Sequence, residues 1–440
     1  MTGAHELLTP RGQQLLASLA GQDVAPEHAL RLAESLRGSY PPELVAAALT
    51  QLALRAAARS RFSLAGRMLF TRPGLEQASS EAAARHSAAR YAGAAVVADL
   101  CCGIGGNLME LAPGRRVLAA DADPVALAFA RHNAGLRQGG GQVAAVRSDV
   151  RELSLRGIEA VFIDPARRAG ERRFRAGHSE PPLGWCLGLA GQVPAVGIKA
   201  APGLPRELVP AGWEAEFVAI GRGLKEALLW SPALATVPRR ATVLHQAIPA
   251  APPPAPGTAS DASPPPGNAS PASDASPAPD AAVTRPAGPV PADTLLPVPG
   301  QPVPVAPPGR YLLDPNPAVT RAGLVEDLAR LTGGWKIDPM IAFLSSDQPV
   351  RTPFARTLRV LLSARWNERR FAAALRELGI GSADIRRRGL AGDVEQIRKR
   401  LGLRGGAAGT IVITRMNGTP WGLICTAPDD QAATAAPGQA

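Results

Sequence analysis

The chain has 440 residues, 46% of them hydrophobic, with a formal net charge of +11. That is length enough for two or three domains with sizeable cores, and the basic balance suits a polyanionic partner. There is no unbroken apolar run near the ~18 residues of a membrane span, no charged start and apolar stretch of a signal peptide, and no disulfide framework among four cysteines, so a cytoplasmic protein without a membrane segment is expected.

Two further points of composition qualify the charge. Only four of the 48 basic residues are lysine, so part of the arginine excess reflects a bias of the whole composition. The six histidines are scattered without ligand spacing, and no metal is expected.

In chain order, residues 1–92 read as an N-terminal helical region. Pro42 opens one helix, with Val45, Leu49, Leu52 and Ala56 on a face. Another starts at Ser80-Glu81 and runs to about Tyr91. Between them lies a block from Arg61 through Met68-Leu69-Phe70-Thr71-Arg72-Pro73-Gly74 to Ser79.

Residues 93–247 carry the chemistry. Val96-Val97-Ala98-Asp99-Leu100 is an apolar strand ending near a carboxylate, and Cys101-Cys102-Gly103-Ile104-Gly105-Gly106-Asn107 is the turn into a helix. Such a strand–loop–helix holds a nucleotide-like ligand at the carboxyl edge of a sheet. Asp99 would repel a pyrophosphate, and Leu108 stands where a dinucleotide fingerprint wants its third glycine. A cationic ligand fits better, such as S-adenosyl-L-methionine with its ammonium and sulfonium. Cys101 and Cys102 serve as small loop residues.

A second strand, Arg116–Ala120, ends in Asp121, placed to take ribose hydroxyls. Pro124 then opens a helix that runs to about Asn133. A third strand, Gln142–Arg147, leads to Ser148-Asp149, placed to accept from an adenine amino group. A fourth, Ile158–Ile163, ends in Asp164-Pro165-Ala166-Arg167-Arg168. Later strands are Ala195–Ala200, Glu216–Ile220 and Leu224–Trp230 or Ala241–Leu244. An acid at or beside four successive strand tips is hard to explain by packing, although turns and helix caps are the plain alternative for each.

With these residues in view, the chain resembles the class I S-adenosylmethionine-dependent methyltransferases over about residues 93–245. The resemblance implies an α/β fold: a Rossmann-like, seven-stranded, mostly parallel sheet, here with an N-terminal helical cap and a separate small α+β C-terminal domain. It implies that Asp99, Cys101, Gly103, Gly105, Asp121 and Asp149 bind the cofactor, and that Asp164, Pro165 and Arg167 lie beside the transferred methyl. The 61–79 block resembles the segment ahead of the catalytic domain in cap-guanosine N2-type methyltransferases, which helps form the pocket. Asp-Pro-Ala-Arg departs from the Asn/Asp-Pro-Pro-aromatic motif of many base-nitrogen enzymes. It also resembles the RNA uracil-5 enzymes, but their nucleophilic cysteine is missing from the Ala195–Pro202 stretch. Arg167, Arg168, Arg172, Arg173 and Arg175 form a basic loop suited to an anionic substrate, or merely to solvent.

Residues 248–308 read as a disordered linker, since 249–308 hold 20 of the 44 prolines. Residues 309–430 read as a separate unit. A strand is expected over 356–362, helices over 368–378 and 394–401, and a hairpin around Asn417-Gly418. The unit has 19 basic against 12 acidic residues, with clusters at Arg386-Arg387-Arg388 and Arg398-Lys399-Arg400. Its order and motifs, Asp314-Pro315-Asn316-Pro317-Ala318 among them, are similar to the THUMP-like domains behind bacterial methyltransferases, which by analogy implies RNA binding. The expectation is a methyltransferase acting on a base nitrogen in RNA. The alternatives are a small-molecule methyltransferase and a non-catalytic RNA-binding protein with a vestigial fold.

Overall fold

The computed structural model describes residues 2–22, 26–137, 139, 141–166, 168–169, 172–173, 179–245, 290–390 and 393–428. Arg167 and Arg175, both singled out above, lie outside the described residues, as does 246–289 of the expected linker.

Six helices open the chain: α1 (Thr2–Glu6), α2 (Pro10–Ser18), α3 (Pro26–Leu36), α4 (Pro42–Ala58), α5 (Arg72–Gln77) and α6 (Glu81–Ala89). Their starts are written in the sequence. Thr9, Thr71 and Ser80 cap α2, α5 and α6 by accepting from the amides of Gly12, Gly74 and Ala83. Proline stands in the first turn of α2, α4 and α5, where its missing N–H costs nothing.

The central unit alternates strand and helix: β1 (Val96–Leu100), α7 (Leu108–Leu111), β2 (Arg116–Asp121), α8 (Pro124–Gly135), β3 (Gln142–Arg147) and β4 (Ala160–Ile163). There follow a two-residue hairpin of β5 (Arg168–Ala169) and β6 (Arg172–Arg173), then α9 (Leu183–Gly188), β7 (Ala195–Ala200), β8 (Glu214–Ile220), β9 (Gly223–Trp230), β10 (Arg239–Leu244) and β11 (Ala292–Leu295). The sheet order is β11-β10-β8-β9-β7-β4-β1-β2-β3. From β3 to β7 all neighbours are parallel, and β9 runs antiparallel to both β7 and β8.

The expected seven strands are therefore nine. Both candidates for the last strand are used, as β9 and β10, and β11 adds an antiparallel edge. This also shortens the linker: residues 290–308 are described, and Ala292–Leu295 pairs with Ala241–Leu244.

The C-terminal part begins with β12 (Tyr311–Pro315), α10 (Pro317–Ala322), α11 (Val325–Thr332), β13 (Trp335–Lys336) and β14 (Leu344–Ser346). It continues with β15 (Ala355–Arg365), α12 (Glu368–Glu377), β16 (Ile380–Arg387), α13 (Val394–Leu401), β17 (Ala407–Met416) and β18 (Thr419–Thr426). These strands make a second sheet, β13-β14-β12-β15-β18-β17-β16. The expected strand, helices and hairpin are all present, and Asn417 and Gly418 both have positive φ, as a two-residue hairpin turn requires. Strand β16 was not expected. It contains Arg386 and Arg387, which had been read only as a basic run.

The second sheet is not merely tethered. Ala318, Val319, Ala322 and Leu328 share one buried core with Phe217, Val243 and Leu295 of the first sheet. Asn316 Nδ2 donates to the Gly221 carbonyl at 2.8 Å. Asp314, 2% exposed, joins Arg222 of the first unit (2.7 Å) to Arg388 of the second (2.9 Å). The separate C-terminal sheet domain that was expected is present, and through this shared core it packs against the first sheet.

A second buried network fixes α6 on the sheet. Glu216 accepts from Trp230 Nε1 (2.9 Å), pairs with His86 Nε2 (2.7 Å), and accepts from the Thr242 hydroxyl. Glu214 takes Arg90 and Arg240, each at 2.6 Å. Tyr91 Oη donates to the Val161 carbonyl at 2.9 Å. The burial of Tyr91 and Trp230, 1% and 0% exposed, is worth about 1.5–3 kcal/mol per large apolar side chain.

Candidate active site

Parallel strands present their carboxyl ends on one edge, so β1, β2 and β4 bring Asp99, Asp121 and Asp164 together by topology alone. A cavity of about 280 Å³ lies over this edge. Its walls include Cys101, Gly103, Gly106, Asp121, Asp164, Pro165 and Ala166 from the strand tips, and Thr71, Pro73, Gly74, Gln77 and Ala78 from the N-terminal region. The helical cap thus supplies one wall of the site. Arg61 holds that wall in shape by donating to the carbonyls of Leu75 and Ala78.

The glycine loop is shaped for a ligand. Cys101 and Gly103 have positive φ, at 56° and 53°. At Gly103 a Cβ would meet no protein atom within 4 Å, consistent with its place on the cavity wall. Gly105 has φ 83°, and a Cβ there would fall 2.9 Å from Ala130 Cα, so only glycine lets the loop lie on α8. Asp121 Oδ2 accepts from the Gly103 amide (2.8 Å) and Oδ1 from the Asp123 amide (2.9 Å). Burial raises the Asp121 carboxyl above its ordinary value despite these bonds.

Asp99 is 1% exposed, and both carboxylate oxygens are buried without a hydrogen-bond partner among the described residues. Burial, then the neighbouring charges of Asp164 and Asp121, push its carboxyl well up, against the pull of Lys199. An orphaned buried carboxylate costs free energy until something donates to it. A methyl donor's ammonium would supply such donors, with Asp99 lying behind the residues that line the cavity. With the glycine cradle and Asp121 this set fits S-adenosylmethionine, whose role when bound is to present an electrophilic methyl carbon.

Asp164 stands at the tip of β4. Its Oδ2 accepts from Lys199 Nζ at 2.6 Å, and its Oδ1 has no hydrogen-bond partner among the described residues. Lys199 is 2% exposed and turned inward. Glu226 lies 4.0 Å from the same ammonium and accepts from Ser79 Oγ at 2.9 Å. Glu226 and Ser79 were missed. The available signal was a lone Lys225-Glu226 pair at the head of the apolar run Ala227–Trp230.

Asp149 is not part of this cluster. It caps the turn Val150–Glu152 and forms an ion pair with Arg151 at 2.6 Å, more than a third exposed and off the cavity wall. Among the described residues there is no group of three or more His, Cys, Asp or Glu that could hold a metal ion, and no helix is long and apolar enough to cross a membrane.

Residues 355–427 match the family model "THUMP domain-like", and residues 1–58 match a domain of unknown function (DUF8688). The THUMP-like match is shorter than the 309–430 expected and leaves out β12 to β14. Two proteins of Mycobacterium tuberculosis, from strains CDC 1551 and H37Rv, are each 36% identical over 355 residues, covering 79% of this chain and 85% of their own length. Both are described as uncharacterized S-adenosylmethionine-dependent methyltransferases. A crystal structure from Porphyromonas gingivalis W83, described as a methyltransferase, superposes with a TM-score of 0.64 at 18% identity, covering 92% of this chain and 99% of that one; it supports the fold. With the relatives matched along most of their length, the chain belongs to the S-adenosylmethionine-dependent methyltransferases.

Proposed function

We propose that this methyltransferase acts on a base nitrogen in RNA, with Asp164 as the acid that receives the substrate and the THUMP-like region contributing RNA affinity. The observation that carries this reading is Asp164 itself: one oxygen held by Lys199, the other without a partner among the described residues, on the wall of the cavity. A nitrogen nucleophile brings its own lone pair and needs mainly positioning and a place for its proton. Asp164 Oδ1 would accept a hydrogen bond from the substrate N–H and take that proton as the new N–C bond forms and the methyl carbon–sulfur bond breaks, the thioether leaving as S-adenosylhomocysteine. Pro165 stiffens the turn that carries it.

Carbon-5 chemistry on uracil needs a cysteine thiolate, and the thiols here oppose it. Cys101, on the cavity wall, is held far above its ordinary value by burial and by Asp121 and Asp164. Cys186 is buried in the core and pushed up to about 12. RNA is favoured over a small molecule by the basic balance of the C-terminal part and by the arginine-bearing β5–β6 hairpin that follows the motif.

The test is methyl transfer from labelled S-adenosylmethionine to total RNA from a strain lacking the gene. Incorporation into RNase-sensitive material by wild type, and its loss in Asp164→Ala with cofactor binding retained, supports the reading. Label found only in small molecules, or full activity of Asp164→Ala, rejects it.

A further inference from the structure

The reaction as proposed uses Asp164, yet the structure holds a second ionisable layer behind it. Lys199 is a buried ammonium on β7 whose closest anion is Asp164, at 2.6 Å, against 4.0 Å to Glu226. Its other contact is the Gln77 carbonyl, at 3.4 Å, on the wall supplied by the N-terminal region. We propose that Lys199 is a positioning residue for methyl transfer: it pins Asp164 Oδ2, leaves Oδ1 facing the substrate, and ties that geometry to the 71–78 wall. This rests on the reading of Asp164 as the substrate-facing acid.

The surroundings explain why a cation is needed. Asp164 is faced by Asp99 from β1, Asp121 from β2, Cys101 from the glycine loop, Lys199 from β7 and Glu226 from β9, with His86 of α6 acting on Glu226. Among the described residues, Lys199 is the cation in direct contact with this cluster of carboxylates. At 2.6 Å a charge-assisted hydrogen bond fixes the rotamer of its partner. Burial raises the Glu226 carboxyl, its largest influence, while Ser79 fixes its Oε2. The ammonium lies at 2.6 Å from Asp164 against 4.0 Å from Glu226, and is thereby directed at Asp164. Lysine suits this place better than arginine, since a compact ammonium donates to one carboxylate oxygen where a guanidinium would engage both.

The test uses the full chain with two readouts. First, the carboxyl carbon of Asp164, assigned by its loss in Asp164→Asn, is titrated by ¹³C NMR. In Lys199→Met its midpoint should rise by one pH unit or more, and Lys199→Arg should bring it back towards wild type. An unchanged midpoint in Lys199→Met overturns the proposal. Second, Lys199→Met should lower methyl transfer into RNA most at the acid end of the pH profile and recover as pH rises, with S-adenosylhomocysteine affinity within threefold of wild type. An equal loss at every pH assigns Lys199 a merely structural role. The double variant with Asp164→Asn should be no slower than Asp164→Asn alone; additive losses also overturn the idea. Should Lys199→Met fail to fold, Lys199→Gln replaces it under the same criteria. If wild type does not methylate RNA, the proposed substrate fails, and the NMR titration still decides the pairing.

Discussion

Replacing Glu216 by Gln tests how the N-terminal cap is fastened to the catalytic sheet. The residue is fully buried in β8 and touches His86 of α6, Trp230 of β9 and Thr242 of β10. Burial by itself would raise its carboxyl; the bonds from His86 and Thr242 and the charge of Arg90 more than offset this and bring it down to about 2 from an ordinary 4.5. A carboxylate depressed in the fold stabilises it above the unfolded value and loses that contribution as pH falls through the folded one. The gap corresponds to about 2–3 kcal/mol of stability at neutral pH. The glutamine keeps the shape but loses the charge. Urea unfolding at pH 7 should therefore show Glu216→Gln less stable by about 2–3 kcal/mol, and the gap should shrink steadily below about pH 4.5, where wild type gives up the same interaction. A difference that stays constant down to pH 3, or none at pH 7, would refute the reasoning.

Other outcomes follow from the same geometry. Asp121→Ala should weaken S-adenosylhomocysteine binding by about 1.5–3 kcal/mol in calorimetry, the scale of a hydrogen bond to a charged group, because it removes the acceptor proposed for the ribose hydroxyls together with the anchor of Gly103; unchanged affinity in a folded variant removes Asp121 from the site. Gly105→Ala forces a Cβ against Ala130 at positive φ and should cost about 1–3 kcal/mol of stability, read as a lower unfolding midpoint together with weaker cofactor binding. Asp314→Ala leaves Arg222 and Arg388 unpaired between the two sheets. Both are partly exposed, so the cost is set at about 2 kcal/mol, below that of a fully buried pair, and proteolysis should open the junction sooner than in wild type. A chain ending near Pro249 strips the cover from Phe217 and Val243, and should aggregate or bind a hydrophobic dye rather than remain a folded cofactor-binding unit; a soluble, cooperative truncated protein would contradict the shared core.

The first four strands and the acids at their tips were legible because each is a local signal: an apolar run, a carboxylate, then a turn. The hairpin at Asn417-Gly418 and the helix beginning at Val394 were legible for the same reason. What the sequence hid was long-range. Lys199 and Glu226 lie on strands that follow the motif by 35 and 62 residues, and only the insertion of β9 next to β7 puts them together. Proline content also misled at the end of the linker, since β11 is an edge strand, where a neighbouring Pro291 or Pro297 interrupts no ladder. Asp149 satisfied the pattern of an adenine-side acid, but its side chain is spent on Arg151 and its own turn. The joining of the two sheets rests on Asp314, Asn316 and Arg222, residues whose partners are about 90 positions away.

The central claim is that Asp164 directs a methyl group to a base nitrogen of RNA. Mass spectrometry of nucleosides from a deletion strain, complemented with wild type or with Asp164→Ala, tests it most directly. The account predicts one N-methylated nucleoside that disappears on deletion, returns with the wild-type gene, and stays absent with Asp164→Ala. An unchanged nucleoside profile, or the loss of a carbon- or ribose-methylated nucleoside in its place, would contradict it.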